Sequence, residues 1–574
     1  MTKKKRTNNG RGRTKDLTVG DYLIHLLPRL KNDQVVPQWP PDVFGLCMVL
    51  LLRSGAYCSV LVNWPPKNGG NRNTSAWVER VERIAAEWRK GWQGKIPAEV
   101  VDAWSKVMSS VDTPVCSLGK NVSVCQALLE LCAISDAACV EIGLPHDEKM
   151  DQPDFYDHAD NLLYPNDLGS TLCSEIDQTR IRVLPKMRTP QTGLTIRSLS
   201  LHLGLCIESE LKPKWFTAPS FSPKGVGLNL LIVPWPRRIY PSQFCETDPL
   251  PPEMRNMPEE FGFFTFRHKE SPNEALELVK GLFDAAESQL GRIDGVVLPE
   301  LAISPEAHEL LSEYVLGRGA LLIAGVGQPS NPPTKHSRNM VCLDIPGLES
   351  LKQHKHHRWK LDAAQIAQYG LGSRLHPERT WWEHISLEDR QVMLISMFPW
   401  LVLCPLICED LARPDPIGEV VRAVGPNLVV ALLMDGPQIT ERWGARYATA
   451  LADDPGCSVL TITSVGMAGL SRPLRGGQNR PRVVALWKDS QSGAPVEIEL
   501  PTGSDGIVLS VTVRYVKEYT ADGRDDEGTA GCPVLSGIHA VEYASKSVVR
   551  SVRIKTHDSP KSQGRLHSRS RSSV

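Results

Sequence analysis

Three residues in the second half of the chain have the chemical types that acyl transfer requires. Glu300 follows the apolar run Gly295–Leu298, Lys355 lies in a basic cluster, and Cys408 ends the apolar run Trp400–Ile407. A cysteine at a strand-to-helix junction lies near backbone N–H donors, which favour the thiolate and can hold a developing oxyanion. A carboxylate can accept the thiol proton, and a lysine adds a fixed positive charge. Together they supply a base, an electrophile and a nucleophile for attack at a carbon–nitrogen bond.

Each residue taken alone has a simpler structural explanation, so the elements that would position them matter. A buried cysteine more often fills a core, and a glutamate after a strand is often a helix cap or a surface group. After about residue 225, short apolar runs alternate with segments of helical period, which predicts an α/β layer structure. The predicted strands are Leu228–Val233, Gly295–Leu298, Ala320–Val326, Trp400–Ile407, Asn427–Leu433 and Ser458–Thr463, and the predicted helices between them include Glu274–Leu290 and Pro305–Val315.

The chain order Glu300, Lys355, Cys408, each after a predicted strand, resembles the nitrilase (carbon–nitrogen hydrolase) superfamily. The resemblance covers roughly residues 226–515, about half of the chain, and includes VVLPE around the glutamate and ICEDL around the cysteine. ICEDL is especially similar to the glutaminase modules of glutamine-dependent NAD synthetases. The chain lacks an SGGxDS-type pyrophosphatase loop, so the sequence excludes a complete NAD synthetase.

The resemblance implies a fold and a mechanism. For residues 226–520 it implies an α-β-β-α sandwich, two of which often pair in a homodimer. Glu300 would be the general base and Cys408 the nucleophile, with the Glu409 backbone N–H in the oxyanion hole. A small amide or nitrile would pass through a thioester and release ammonia or an amine, and no metal or organic cofactor is implied.

Two lysines remain candidates for the catalytic lysine. Family members often show Lys-x-His-Leu, and Lys355 matches this pattern better than Lys360 does. The neighbouring histidines His354, His356 and His357 raise the alternative of a metal site. Adjacent residues on one strand point to opposite faces, however, which argues against three converging ligands.

The sequence departs from the family pattern in two places. The family commonly has a second glutamate a few residues beyond the lysine, and Pro405 removes a ladder donor inside the nucleophile strand. Both departures put efficiency in doubt. Imperfect substitutes for the missing acid are Asp362, Gln365, Glu378 and Glu383.

A more specific resemblance suggests a biological setting. The strings KHHRWKLDAAQIAQYGLGSRL and WWEHI are similar to the nitrilase module attached to certain bacterial antiphage reverse transcriptases. There the module follows a polymerase, whereas the preceding 220 residues show no polymerase pattern. A stand-alone relative in antiviral defence is the corresponding hypothesis.

Residues 17–220 are predicted to form a mainly α-helical domain of unknown role. Trp77, Val81, Ile84 and Trp88 recur at helical spacing, and further helices are predicted from Pro97 and over residues 121–141. The Trp and Cys residues here are interpreted as core filling. A Pro/Asp/Asn-rich stretch at 144–167 predicts a long loop.

Composition favours a reduced, cytoplasmic protein without a membrane segment. Lys+Arg and Asp+Glu both number 65, and the 14 cysteines include no CxxC pair. The basic segments 1–16 and 545–574 predict disordered arms, and their charge suits contact with RNA or a partner protein. Two alternatives to the hydrolase therefore remain: an impaired nitrilase-like scaffold that oligomerises and binds RNA or protein, and a glutaminase-like ammonia supplier or N-acyltransferase.

Overall fold

The computed structural model describes residues 17–61, 64, 74–145, 152–207, 210–218, 221, 227–247, 256–329, 336–387, 390–472 and 480–543. The predicted basic arms at 1–16 and 545–574 lie outside these residues. The described helices are α1 Val19–Leu26, α2 Pro40–Ser54, α3 Ala56–Leu61, α4 Thr74–Gly91, α5 Ala98–Met108, α6 Val122–Ala138, α7 Pro153–Leu163, α8 Pro272–Leu290, α9 Pro305–Gly317, α10 Ala363–Gln368, α11 Glu419–Val424, α12 Trp443–Asp453 and α13 Val465–Leu470.

The strands follow the helices of the N-terminal part. They are β1 Arg182–Pro185, β2 Leu203–Cys206, β3 Lys212–Thr217, β4 Gly227–Ile232, β5 Phe244–Glu246, β6 Phe261–Phe266, β7 Gly295–Ile303, β8 Leu321–Gln328, β9 Arg338–Asp344, β10 Leu351–His354, β11 Lys360–Leu361, β12 Thr380–Glu383, β13 Gln391–Phe398, β14 Leu401–Ile407, β15 Leu428–Leu432, β16 Ser458–Ile462, β17 Val483–Lys488, β18 Val496–Glu499, β19 Gly506–Val516 and β20 Ala530–Val541.

The N-terminal helices pack around α6. This helix is apolar on nearly all sides and packs against α2, α4 and α5, as expected for a helix at the centre of a layer. Trp77, Trp88 and Trp104 are buried in the same core, which confirms their interpretation as core filling. Their indole N–H groups donate to Asp522, to the Gln38 carbonyl and to the Gln34 carbonyl.

The long loop predicted at 144–167 is wrong in its second half. Helix α7 begins at Pro153 and buries Phe155, Tyr156, Ala159 and Leu163. These positions recur near every fourth residue, but surrounding Asp, Asn and Pro residues obscured the spacing. Proline is well tolerated in the first turn of a helix, where its missing N–H has no intrahelical partner.

Two seven-stranded sheets form the centre of the second half. The first sheet has the order β10-β9-β8-β7-β4-β19-β20, and the second has the order β18-β17-β16-β15-β14-β13-β3. The two sheets face each other through β9 and β14, β10 and β13, and β7 and β15. Helices α8 and α9 cover the outer face of the first sheet, and α12 packs on β16 and β17 of the second. The layer order is the predicted α-β-β-α sandwich.

The alternation of side chains along each strand produces these layers. In β4, Leu230 and Ile232 join the core between the sheets, whereas Leu231 packs against the outer helices. In β8, Leu321 likewise joins the core between the sheets, and Leu322 packs against the outer helices. Because successive side chains point to opposite faces, a continuous apolar run supplies both cores.

The structure moves both limits predicted for the sandwich, residues 226 and 520. Strand β3 pairs in parallel with β13, so residues 212–217 belong to the second sheet although they precede residue 226. Strand β20 pairs with β19 and extends to Val541. Both are edge strands with partly exposed side chains, so their sequences lack the continuous apolar runs of central strands.

A small third sheet lies over one end of the sandwich. Its order is β11-β12-β6-β5, and its aromatic side chains form a separate core with α10. Phe264, Trp359 and Trp381 are buried in this core. Within the described part of the chain, no helix combines the length and apolar character that crossing a bilayer requires.

Candidate active site

Two of the three sequence-predicted residues lie at the ends of strands, and the third lies at an irregularity inside a strand. Cys408 directly follows β14, and Lys355 directly follows β10. Glu300 lies inside β7, where the pairing with β8 is interrupted between Leu298 and Ile303. The interruption lets the backbone at Glu300 leave the regular ladder, as in a β-bulge, and re-aims its side chain.

The residue of the neighbouring strand that faces this bulge must be small. A Cβ at Gly325 of β8 would lie 2.2 Å from the Pro299 carbonyl oxygen and 2.5 Å from the Glu300 Cα. Only glycine permits this close approach of two backbones. Leu301, the next residue of β7, has a φ of 50°, which is sparsely populated for a leucine.

Lys355 lies between two buried carboxylates. Its Nζ donates to Glu300 Oε1 at 2.8 Å and to Glu383 Oε2 at 2.7 Å. The side chains of Lys355 and Glu300 are each only 1% exposed, and that of Glu383 is 6% exposed. A cation held between two acids in a water-poor site is fixed in place by charge and by hydrogen bonds together.

Asn339 and the backbone of Met434 complete the shell around the acids. Asn339 Nδ2 donates to Glu300 Oε1 and to Glu383 Oε1, both at 2.8 Å. Met434 N–H donates to Glu300 Oε2 at 2.6 Å. Both oxygens of Glu300 therefore accept hydrogen bonds, which restricts the rotation of this carboxylate. Sequence reasoning missed Asn339, whose only signal is a polar residue at the start of a buried strand.

The second acid comes from β12, far along the chain. Glu383 was one of four imperfect substitutes, and the structure brings it alone of these to Lys355. Asp362 is instead the N-cap of α10 and bonds to Gln365 in a capping box, and Glu378 is exposed. Lys360 is also exposed, with its Nζ 5.9 Å from the centre of the Trp382 ring. Of the two candidate lysines, the structure brings Lys355 to the acids.

Cys408 has an unusual backbone conformation at the start of a short helical turn. Its φ is 47°, in the left-handed region, and the turn Cys408–Ala412 begins directly there. A positive φ at a non-glycine residue is strained, and such residues cluster at functional sites. The thiol is buried, and burial together with the carboxylate of Glu300 raises its pKa well above the ordinary value, while Lys355 opposes this rise.

The same charges shift the pKa values of Glu300 and Lys355. Burial raises the pKa of Glu300, the Glu383 carboxylate adds to the rise, and Lys355 opposes it. Burial by itself would lower the pKa of Lys355, but Glu300 and Glu383 raise it well above its ordinary value. The lysine is therefore charged, and the thiol of the resting site is protonated.

Asp410 connects the nucleophile turn to the segment after the lysine. Its buried carboxylate accepts from His356 N–H at 3.1 Å and from His357 Nδ1 at 2.9 Å. The His356 ring instead contacts the Gln391 carbonyl at 2.8 Å. The histidines thus serve different partners, and within the described ranges no three His, Cys, Asp or Glu side chains are grouped to hold a metal ion.

Pro405 is accommodated by a side chain from the opposite sheet. The pairing of β13 with β14 extends only to Leu403, so Pro405 lies beyond the last ladder pair on that side. Gln353 of β10 inserts there: its Nε2 donates to the Pro405 carbonyl at 2.9 Å, and its Oε1 accepts from Met393 N–H at 2.7 Å. The fully buried amide replaces the missing ladder bonds.

A second polar cluster lies close to the thiol. Tyr369, at the end of α10, donates its hydroxyl to Asp435, which is also paired with Arg442. Burial and the Asp435 carboxylate raise the pKa of Tyr369 well above its ordinary value, and Cys408 contributes to the rise. The cluster anchors α10 over the site. Trp381 is buried in the aromatic core of the third sheet, whereas Trp443 is only partly buried against the main core and Trp382 is partly exposed.

The oxyanion-hole role of Glu409 depends on a bound substrate and stays a prediction. Its side chain points to Arg413, with which it forms an ion pair at 2.8 Å. The side chain is thus engaged outside the predicted oxyanion hole, and the prediction concerns only the backbone N–H.

Comparison with known proteins gives weak structural similarities. An amidase from Nesterenkonia sp. is 14% identical, with 53% of this chain and 95% of that chain covered and a TM-score of 0.32. Nit3 of Saccharomyces cerevisiae, a member of branch 10 of the nitrilase superfamily, is 12% identical, with 50% and 90% covered and a TM-score of 0.32. A CN-hydrolase superfamily protein from Xanthomonas campestris with an arsenic adduct in its active site is 14% identical, with 50% and 90% covered and a TM-score of 0.30. No protein-family model and no curated protein matches the chain.

Proposed function

We propose that this protein is a carbon–nitrogen hydrolase of the amidase/nitrilase type, with Cys408 as nucleophile, Glu300 as general base and Lys355 as the fixed cation. The observation that carries the proposal is the buried cluster in which Lys355 Nζ bonds Glu300 and Glu383 at 2.8 and 2.7 Å. Burying three charged groups has a high desolvation cost, so this arrangement is more typical of a reactive site than of a stabilising one.

For an amide substrate, the groups would act in sequence. Glu300 accepts the proton of the Cys408 thiol as sulfur attacks the carbonyl carbon, and the oxyanion is held by the Glu409 N–H and Lys355. Glu300 returns the proton to the leaving nitrogen, the C–N bond breaks, and ammonia or an amine leaves a thioester on Cys408. Glu300 then takes a proton from water as the water oxygen attacks the thioester; the C–S bond breaks, Glu300 returns the proton to the Cys408 sulfur, and the acid and the free thiol are released.

The activity test uses ammonia release from a panel of small amides and nitriles. We expect turnover by the wild-type chain, and a loss of at least about 10³-fold in Cys408→Ala and Glu300→Gln, because each removes a group on which every step depends. Cys116→Ser is the matched control, since Cys116 is exposed and distant in sequence from the site. If Cys408→Ala retains the wild-type rate on a turned-over substrate, the assignment of the nucleophile is wrong.

A second test needs no substrate. Limited alkylation with iodoacetamide, followed by mass spectrometry, measures the reactivity of each cysteine. The exposed Cys58 and Cys116 serve as internal references, because both are accessible and lie outside the candidate active site. We expect Glu300→Gln to change the labelling rate of Cys408 but not of the references, since Glu300 accepts the thiol proton in the proposed mechanism and its charge also raises the pKa of the thiol. Equal Cys408 labelling in wild type and variant would contradict an assembled base–nucleophile pair.

The same thioester could transfer its acyl group to an amine, or the released ammonia could feed a partner enzyme. Adding hydroxylamine to the ammonia assay separates these outcomes: formation of a hydroxamate at the expense of acid favours acyl transfer.

The scaffold alternative rested on a missing second acid. Because Glu383 is bonded to Lys355, that reason for an impaired site no longer holds.

We further propose antiviral defence as the biological setting. Support comes from the strings that resemble the defence-associated module: one contains Lys355 and Trp359, and WWEHI contains Glu383. Expression in a bacterial host challenged with phage, comparing wild type with Cys408→Ala, tests this setting. Equal plaque numbers for wild type and empty vector across a phage panel would argue against it.

A further inference from the structure

A cavity of about 270 Å³ lies away from the candidate active site, between α2, the β1–β2 hairpin and α11. Its wall includes three cationic side chains, Lys186, Arg197 and Arg422. The same wall also includes apolar side chains, among them Met48 and Leu205. The cavity therefore combines concentrated positive charge with a hydrophobic surface, which is the composition of a ligand pocket rather than of a packing defect.

Lys186 is the deepest of the three cations. Its Nζ donates to the carbonyl oxygens of Arg197 and Ser200, and to Ser200 Oγ at 3.2 Å, so it has no carboxylate partner among these contacts. Burial lowers the pKa of Lys186 to about 7, and although Asp136 and Glu518 oppose the shift, neighbouring arginines add to it. The low pKa of Lys186 is thus mainly a consequence of its burial.

The two arginines present buried donors without acceptors. The Nε atoms of Arg197 and Arg422 are buried and have no hydrogen-bond partner in the described ranges. Arg197 retains an ion pair with Asp454 at 2.6 Å through its Nη2. For Arg422, the described residues supply no ion pair or side-chain hydrogen bond at all. An unsatisfied buried donor is costly, and a bound acceptor removes that cost.

The acidic residues of the wall do not neutralise these donors. Glu419 Oε1 accepts from the Ile207 backbone N–H at 2.8 Å, and Asp415 is exposed and lies beyond ion-pairing distance of Arg422. Among the described residues, neither carboxylate forms an ion pair with Arg422, so its guanidinium can accept an external anion as a partner.

We propose that this cavity binds a small organic carboxylate, with its charged end at Arg422 and Arg197 and a short apolar chain against Met48 and Leu205. A planar guanidinium suits a carboxylate because it can donate two parallel hydrogen bonds. The ligand would contact Pro414 and Asp415, which come soon after the turn Cys408–Ala412, so its binding reaches the segment that follows the nucleophile. The inference does not depend on the proposed hydrolase activity.

The test is isothermal titration calorimetry of the full chain with hexanoate, at constant ionic strength set by chloride. We expect hexanoate to bind and the neutral 1-hexanol to bind at least about tenfold more weakly, because only the acid pairs with the arginines. Arg422→Gln should weaken hexanoate binding by about tenfold or more. Arg446→Gln is the matched control, since Arg446 is an exposed arginine on α12 that is not part of the wall.

Three results would overturn the proposal: no heat of binding with hexanoate at millimolar concentrations, equal affinity for 1-hexanol, or unchanged affinity in Arg422→Gln. Arg197→Gln provides a second variant if Arg422→Gln fails to give folded protein, as judged by its circular dichroism spectrum. The measurement is also distinct from turnover, so an inactive hydrolase site would leave its outcome unaffected.

Discussion

In the proposed mechanism, the charges around Lys355 let one site hold a base, Glu300, and a protonated nucleophile, Cys408, at once. The lysine compensates two carboxylates only in part, and the pKa of Glu300 is raised by burial and by repulsion from Glu383. A base with a raised pKa is better matched to proton transfer near neutral pH than an ordinary glutamate. Glu383 therefore tunes the base in addition to positioning the lysine.

This tuning predicts a pH effect. Glu300 is active when ionised, so kcat/KM should rise with pH through a pKa that lies above the ordinary value for glutamate. In Glu383→Gln the repulsion is lost, the pKa of Glu300 falls, and the acid limb of the profile should move to lower pH. The measurement is the pH dependence of kcat/KM for any amide that the wild type hydrolyses.

The control for this shift is Asp362→Asn. Asp362 is a helix-capping carboxylate, so its replacement alters charge near α10 without touching Lys355. A Glu383→Gln profile with an unchanged acid limb would show that Glu383 has only a structural role. A shift to higher pH would contradict the assignment of Glu300 as the base.

At the scale of elements, the nucleophile strand depends on the sheet that faces it. Gln353 of the first sheet supplies the hydrogen bonds that Pro405 and Met393 of the second sheet lack. The interface between the sheets is therefore specific at the strand that carries Cys408, and the register of β10 fixes both Gln353 and Lys355.

We expect Gln353→Leu to reduce the free energy of unfolding by about 2–5 kcal/mol, because it leaves the Pro405 carbonyl and the Met393 N–H buried without partners. Urea denaturation measures the change. The neighbouring exposed residue provides the control variant, Lys352→Ala, which should change stability little. If Gln353→Leu is as stable as Lys352→Ala, the bridging role is not needed for the strand to form.

At the scale of the molecule, the helical part and the sandwich share one core and one buried ion network. Arg524, in the loop between β19 and β20, pairs with Asp136 of α6 at 2.9 Å and with Asp522 at 3.0 Å. Asp136 also accepts from the backbone N–H groups of Leu201, His202 and Leu203. The predicted boundary near residue 220 therefore does not separate two independent cores.

Breaking this network should destabilise the whole chain. Arg524→Met leaves Asp136 buried without its cation, and we expect a loss of about 3–5 kcal/mol in the free energy of unfolding. Lys517→Met, which removes an exposed ion pair with Asp525, is the control and should change little. Circular dichroism and tryptophan fluorescence should report one coincident transition. A separate early transition of the helices would contradict a shared core.

The pH dependence of wild-type stability follows from the same network. Burial would raise the pKa of Asp136, but Arg524 and the backbone donors lower it overall. A group whose pKa is lower in the folded state stabilises the protein above its unfolded pKa, near 3.8 for aspartate, and this contribution is lost as the pH falls through the folded value. Arg524→Met should therefore lose much of this acid-dependent stability.

The sequence by itself determined the strand–helix alternation and the order of Glu300, Lys355 and Cys408. Buried strands need continuous apolar runs, and residues that follow them are placed at sheet edges by covalent connection alone. For this reason the six predicted strands and both predicted sandwich helices agree with the structure. The preference for Lys355 over Lys360 came from a local motif, and the structure brings that lysine to the acids.

Only the tertiary structure decided which distant residues complete the site. Glu383, Asn339 and Gln353 meet their partners through strand pairing and sheet stacking, which sequence spacing does not encode. The same holds for the link between Asp136 and Arg524, which are 388 residues apart. Such contacts depend on how faces pack, and a polar residue in a buried strand gives no sign of its partner until the opposite layer is in place.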